Sequence, residues 1–197
     1  EYALAEEKVI KENLNDITQI IDHLALSLKE SELAKWNETS PSDFSNLALG
    51  TFYLHQAWIE RSHSQGSEVS EKQANLFFEN LQLSDKTYEQ ISADSFFEPE
   101  LNSRRIRLYI SFSDRDLATK HFEKVSAEHP HFIWPYIHYS EMIQPKWGGQ
   151  ISSIESFVEH LPDDVLIQSI VYLKLIFDSI NFEDNYFKDQ NDSIDNF

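Results

Sequence analysis

Three prolines, Pro99, Pro130 and Pro162, stand 31 and 32 residues apart, and each is read as closing a helical stretch. That spacing limits the chain more than any other feature. A pair of short amphipathic helices fills about 30 residues but cannot bury its apolar side alone, so a period of this length implies pairs stacked on their neighbours. Glycine and proline are scarce, at four and six residues, which leaves too few tight turns for a β-sandwich. The expected class is all-α, with stacked antiparallel helix pairs.

The periodicity along the chain agrees. Leu14, Ile17, Ile20, Ile21, Leu24 and Leu28 trace one face of a first helix that is predicted to run on towards Trp36. Ser40, Pro41 and Asp43 form a start signal for a second, carrying Phe44, Leu47, Ala48, Thr51, Leu54 and Trp58. A long helix is expected from about Val69 to Ile91, and another carries Leu101, Ile106, Leu108 and Phe112. Ser113 with Asp116 reads as the cap of a helix containing Leu117, Ala118, Phe122 and Val125. A helix from about Phe132 to Ile143 stops before Pro145, because a proline disfavours helical geometry in the residue ahead of it. After Gly148-Gly149, Ser152 and Glu155 are expected to cap a short helix. The final helix, about Asp163 to Ile180, is apolar over more than half its circumference, the pattern of an element packed on two sides. One helical domain over residues 1–180 and an acidic, disordered tail over 181–197 complete the expected layout.

Within the two later periods the residues follow the tetratricopeptide pattern. Tyr109 takes the aromatic place of a first helix, and Ala118, Phe122 and Val125 follow as A-x-x-x-F-x-x-A. Trp134, then Ile154 and Phe157, take the corresponding places one period on. Ile106 and His138 stand where that pattern prefers glycine. The expectation is a superhelix of this kind, with a concave face suited to extended peptides or a partner's helix.

Two stretches resemble a known bacterial family. Trp58-Ile59-Glu60-Arg61, followed by Ser62, His63, Val69 and the Phe77–Leu81 run, is similar to a W-x-x-R-G segment before a long helix. Pro145-Lys146-Trp147-Gly148-Gly149-Gln150 is similar to a P-R-W-G-G-S turn. Together, over about Asn46 to Leu161, they resemble the helical family called domain of unknown function 4034. The resemblance implies a fold related to tetratricopeptide repeats, and it transfers no activity. Ser62, Lys146 and Gln150 depart from the glycine, arginine and serine of that pattern.

Charge narrows the partners. With 16 basic and 34 acidic side chains the net charge is −18, a sign that repels phosphate backbones and anionic lipid, so no nucleic acid is expected. No apolar run approaches the ~20 residues of a membrane span. Cysteine is absent, which removes disulfides, thiolate chemistry and cysteine-bound zinc. The chain begins at Glu1 without a methionine, which suggests a removed leader or upstream segment and leaves both a cytoplasmic and a periplasmic or secreted location open.

Chemistry-bearing signatures are missing: there is no G-x-S-x-G elbow and no phosphate-binding glycine loop. Neither a catalytic residue nor a cofactor is expected. Arg104, Arg105 and Arg107, with Arg115 and Lys120, form the one basic cluster of the acidic chain, and basic side chains on a repeat's inner face can clamp a carboxylate. The expected function is a non-enzymatic protein- or peptide-binding scaffold. Its candidate contacts are Arg104, Arg105, Arg107, Tyr109 and Trp134, with Trp58, Arg61, Lys146 and Trp147 from the family-like stretches. Successive backbone N–H groups of the Gly148-Gly149 turn, with Lys146 near and a helix starting at Ile151, could alternatively hold an anion. A second reading is a metal-dependent enzyme or metal-binding protein using the histidines between His121 and His138.

Overall fold

The computed structural model describes residues 13–62 and 68–178, with backbone alone for Lys146. The expected tail over 181–197 lies outside the described residues. Among the described residues every regular element is helical, so the all-α class is shown. The helices are α1 (Leu14–Ser27), α2 (Glu30–Thr39), α3 (Asp43–Arg61), α4 (Glu71–Tyr88), α5 (Glu98–Ser111), α6 (Arg115–Glu128), α7 (Ile133–Met142), α8 (Ile151–Glu159) and α9 (residues 165–178). The chain divides into two compact units, residues 1–135 and 136–197, each described by itself.

Helix ends differ from the sequence reading for local reasons. The first helix does not continue to Trp36. Leu28 turns extended, and the Glu32 carboxylate accepts a 2.9 Å bond from the Lys29 N–H, which starts α2 afresh. Ser42, rather than Ser40, caps α3: its Oγ accepts from Ser45 N at 3.1 Å while Ser45 Oγ accepts from Ser42 N at 2.9 Å. Asp114, rather than Ser113, caps α6 by accepting from Leu117 N. Gln150, rather than Ser152, is the N-cap residue of α8. Pro99 opens a helix instead of closing one, because it sits in the first turn of α5 where its missing N–H costs nothing.

In the first unit α3 is the central element. Every residue from Phe44 to Phe52 is buried, so the first half of this helix is enclosed on all sides. Ile17, Ile21 and Ala25 of α1, Leu33 and Trp36 of α2, Leu81 and Tyr88 of α4 and Leu101 and Leu108 of α5 share its core. Trp36 meets Phe44 edge-on at 5.5 Å, and Phe44 stacks on Phe97 at 5.3 Å. The α3–α4 pairing is the most extensive among the described residues. It is antiparallel, since Thr51 bonds Tyr88 while Trp58 meets Phe77.

Gly50 sets that approach. A Cβ there would stand 2.4 Å from the Tyr88 ring, so only hydrogen fits. Ser84 Oγ donates to the Gly50 carbonyl at 2.8 Å, tying the helices at the same level. Leu49-Gly50 with Tyr53 spells the L-G-x-x-Y of the tetratricopeptide pattern, in the half of the chain where the proline spacing does not point. The second antiparallel pair is α5 with α6, where His121 bonds Asn102 and Lys124 bonds Glu98. Ala118 and Val125 are buried.

In the second unit Tyr139 of α7 meets Phe157 of α8 at 5.6 Å. Asp164 caps α9 by accepting from the N–H groups of Leu166 and Ile167. Lys174 of α9 bonds Glu141 at 3.2 Å and Asp178 at 2.6 Å, and Gln144 donates to Asp178 at 2.7 Å. The helix is therefore attached to α7 on the side that carries its charges.

Candidate functional site

Three of the predicted contact residues are consecutive basic positions of α5, and the structure separates them. Arg104 is 1% exposed and lies in the core, so it is not available to a partner. Its position follows from two i, i+4 polar pairs that face each other, Glu100–Arg104 on α5 and Thr18–Asp22 on α1. Arg104 Nε donates to Glu100 Oε1 at 2.6 Å, Nη1 to Asp22 Oδ1 at 2.5 Å and Nη2 to the Thr18 carbonyl at 3.1 Å. Thr18 Oγ1 donates to the other oxygen of Glu100, which is itself fully buried. His55 Nε2 on α3 completes the network at 2.9 Å from Asp22.

Burial acts against every charge in this group, and the pairing offsets it. For Asp22 burial raises the pKa, but the bonds from His55 and Arg104 outweigh it and hold the carboxyl well below the usual range. Burial lowers the Arg104 pKa, and Glu100 and Asp22 more than restore it, so the guanidinium stays charged. Burial pushes the Glu100 carboxyl up against the pull of Arg104 and Thr18. Ionised, Glu100 accepts from both. Here α1 meets α5 directly, in parallel, with His55 of α3 joining the same network.

Arg105 and Arg107 are half-buried. Their Nε atoms are buried without a hydrogen-bond acceptor among the described residues. Tyr109 donates to Asp85 at 3.4 Å and its ring stacks on His121 at 5.3 Å and 11°. His121 Nδ1 lies 2.7 Å from Asn102 Oδ1, an acceptor, so Nδ1 carries the proton. Burial first, then the charges of Arg105, Lys120 and Lys124, lower the His121 pKa to about 4. The unfolded chain takes up its proton near pH 6.5, so stability present above that pH is lost as pH falls from about 6.5 to about 4. Allowing for the ring's partial exposure, the loss from His121 is expected to be about 1 kcal/mol. Ring-proton NMR titration checks the value, and a His121→Gln chain should lose that part of the pH slope.

Of the predicted Trp58 and Arg61, Trp58 lines an open cleft of about 410 Å³ with Leu26, His55, Ile59 and Ser62. The Arg61 guanidinium lies 5.5 Å from the Trp58 ring centroid. Leu26 and Ile59 are 63% and 59% exposed, unusual for large apolar side chains at a shared opening. Ser62 ends α3 with φ 62° and ψ −178°, a region occupied almost only by glycine. Ser62→Gly is expected to raise stability by about 1 kcal/mol, read as a higher urea midpoint.

A second opening, about 470 Å³, lies between residues 13–15 and 128–132 and includes His129 and His131. Asn15 ties its rim, accepting from Ile133 N at 3.0 Å at the start of α7, where the half-buried Trp134 follows. Among the described residues no three His, Asp or Glu side chains are grouped to hold a metal ion. The structure places His121 against Tyr109 and Asn102, and His138 is buried in the second unit.

Trp147 is 38% exposed on a 3₁₀ turn, Pro145–Trp147. Three N–H groups of this turn are used within the chain. Trp147 N and Gly149 N donate to the Gln144 carbonyl at 3.0 and 2.9 Å, and Gly148 N donates to the Pro145 carbonyl at 2.9 Å. Gly148 takes φ 79°, and a Cβ on Gly149 would lie 1.9 Å from the Ile143 carbonyl oxygen. Both glycines are thus explained by chain geometry.

Among the described residues no helix is long and apolar enough to cross a membrane. No family model matches the chain, and neither a curated protein nor a solved structure is found that resembles it.

Proposed function

We propose that the chain is a non-enzymatic protein- or peptide-binding scaffold of tetratricopeptide-like helix pairs. Its partner contributes an apolar anchor to the cleft of Leu26, Trp58 and Ile59. The observation that carries this reading is the cleft itself: about 410 Å³, with two large aliphatic side chains more than half exposed beside an aromatic ring and a cation. Such an opening suits a side chain from an amphipathic helix or extended peptide. The burial of Arg104 moves the contact surface away from the arginine cluster and towards this cleft.

Two further features support the kinship with domain of unknown function 4034. Ser62 holds a glycine-type conformation at the position where that family's pattern has glycine. Gly50 supplies the close helix contact that tetratricopeptide pairs make with a small residue.

The test is selection from a random peptide display library on the immobilised chain. Enriched peptides should bind Ile59→Asp and Trp58→Ala proteins at least 10-fold more weakly, a change of about 1.4 kcal/mol. They should bind an Arg105→Glu/Arg107→Glu protein unchanged. Absence of enrichment, or peptides indifferent to the two cleft substitutions, contradicts the reading.

A further inference from the structure

α9 is amphipathic in the wrong sense. At about 100° per residue, Ile167, Val171 and Leu175 share one side with Lys174 and Asp178, the two charges of the helix. Ile167 and Val171 are 0% exposed and Leu175 is 8%, while Lys174 is bonded to Glu141 of α7 and Asp178 to Gln144 just beyond it. The opposite arc, about 140° wide, carries Val165, Leu166, Tyr172, Leu173, Ile176 and Phe177, with Ser169 near its middle. Those six large side chains are between 45% and 79% exposed. A surface helix normally turns charges outward and apolar residues inward. Here the outward arc contains no charge at all, in a chain of net charge −18.

We propose that a second copy of this chain covers the outer arc of α9, the two helices packing about a twofold axis. Charge restricts where this occupant can sit. Two chains of −18 repel one another over most approaches, and an uncharged face is where they can meet without setting acid against acid. A twofold contact uses the same patch on both copies, so an arc that is apolar throughout is its own complement. The area suffices as well: at about 100 Å² per exposed side chain, the pair buries about 1,200 Å², the lower end of stable interfaces.

Sedimentation velocity on the full chain from about 1 to about 100 µM tests the proposal, because dimer population rises with concentration. The expected result is a shift to twice the monomer mass. A Leu173→Glu/Ile176→Glu chain should dissociate at least 100-fold more readily, with an unchanged far-ultraviolet circular dichroism spectrum. The chain has no cysteine, so Ser169→Cys gives a single thiol near the proposed axis. Mild oxidation should link that protein into a covalent dimer, whereas Ser31→Cys on α2 should not link. A monomer at every concentration, a dimer indifferent to the glutamates, or equal linking at Ser31 each overturns the proposal. Residues 179–197 covering the arc of their own chain would give the first of these results. The cleft at Trp58 is untouched by any of these variants, so the peptide-binding reading stands or falls separately.

Discussion

Arg104→Ala is expected to cost about 3–5 kcal/mol, because it leaves a buried carboxylate without its cation. Glu100 is fully buried, and its remaining partner would be the Thr18 hydroxyl. Asp22→Asn should cost less, about 1–2 kcal/mol, since that side chain is 27% exposed and water can replace part of what is lost. Replacing the pair together, Glu100→Leu with Arg104→Met, should recover most of the loss. Buried ion pairs repay their desolvation only partly, and a packed apolar pair is often as stable. Urea midpoints at pH 7 give all three numbers. An Arg104→Ala midpoint equal to the parent's would show that the network contributes nothing. The depressed pKa of Asp22 adds a pH sign: its contribution is full above the unfolded value of 3.8 and is lost as pH falls below it. A charge-reversal test of the basic cluster must therefore spare Arg104, or unfolding will pass for lost binding.

Gly50→Ala is expected to lower stability by about 2 kcal/mol, against the usual gain of about 1 kcal/mol for that change within a helix. The added methyl would fall 2.4 Å from the Tyr88 ring. The ring cannot swing aside: Tyr88 is fully buried and its hydroxyl bonds Thr51 Oγ1 at 3.0 Å. In a Tyr88→Leu background the clash is gone, so Gly50→Ala should become neutral or mildly stabilising. A double-mutant cycle on urea midpoints reads the coupling directly. Additive losses would mean that the close approach is not what makes glycine necessary.

The helices were legible because apolar periodicity is written into each one independently of its neighbours. Leu14 to Leu28, Phe44 to Trp58 and Phe77 to Ile91 follow the 3.6-residue repeat, and glycine and proline are too scarce to break it elsewhere. Their ends were less legible, because several polar residues compete for each cap. Ser40, Ser42 and Asp43 all have capping side chains, and the choice of Ser42 depends on Ser45 returning its bond.

Arg104 was misplaced for a related reason. Arg104, Arg105 and Arg107 look alike in sequence, and what sorts them is a residue more than 80 positions earlier. A signal was present: Thr18 and Asp22, four apart beside the apolar stripe of α1, match Glu100 and Arg104, four apart on α5. Matching the two pairs required knowing that α1 and α5 meet. For α9, apolar residues on most of the circumference implied packing on two sides, whereas six large apolar side chains on one side are exposed. Composition could not say that the two charges would turn towards Glu141 and Gln144 and leave the apolar arc outside.

The strap between α1 and α5 also imposes an order on synthesis. Asp22 and Arg104 are 82 residues apart, so the first helix leaves the ribosome long before the group that neutralises its acid exists. At roughly 5–20 residues per second that interval lasts roughly 4–16 seconds. During it the nascent α1 offers Ile17 and Ile21 to any chaperone within reach, because Leu101 and Leu108 of α5, which share their core, do not yet exist. The growing chain therefore completes its first core only after α5 has emerged.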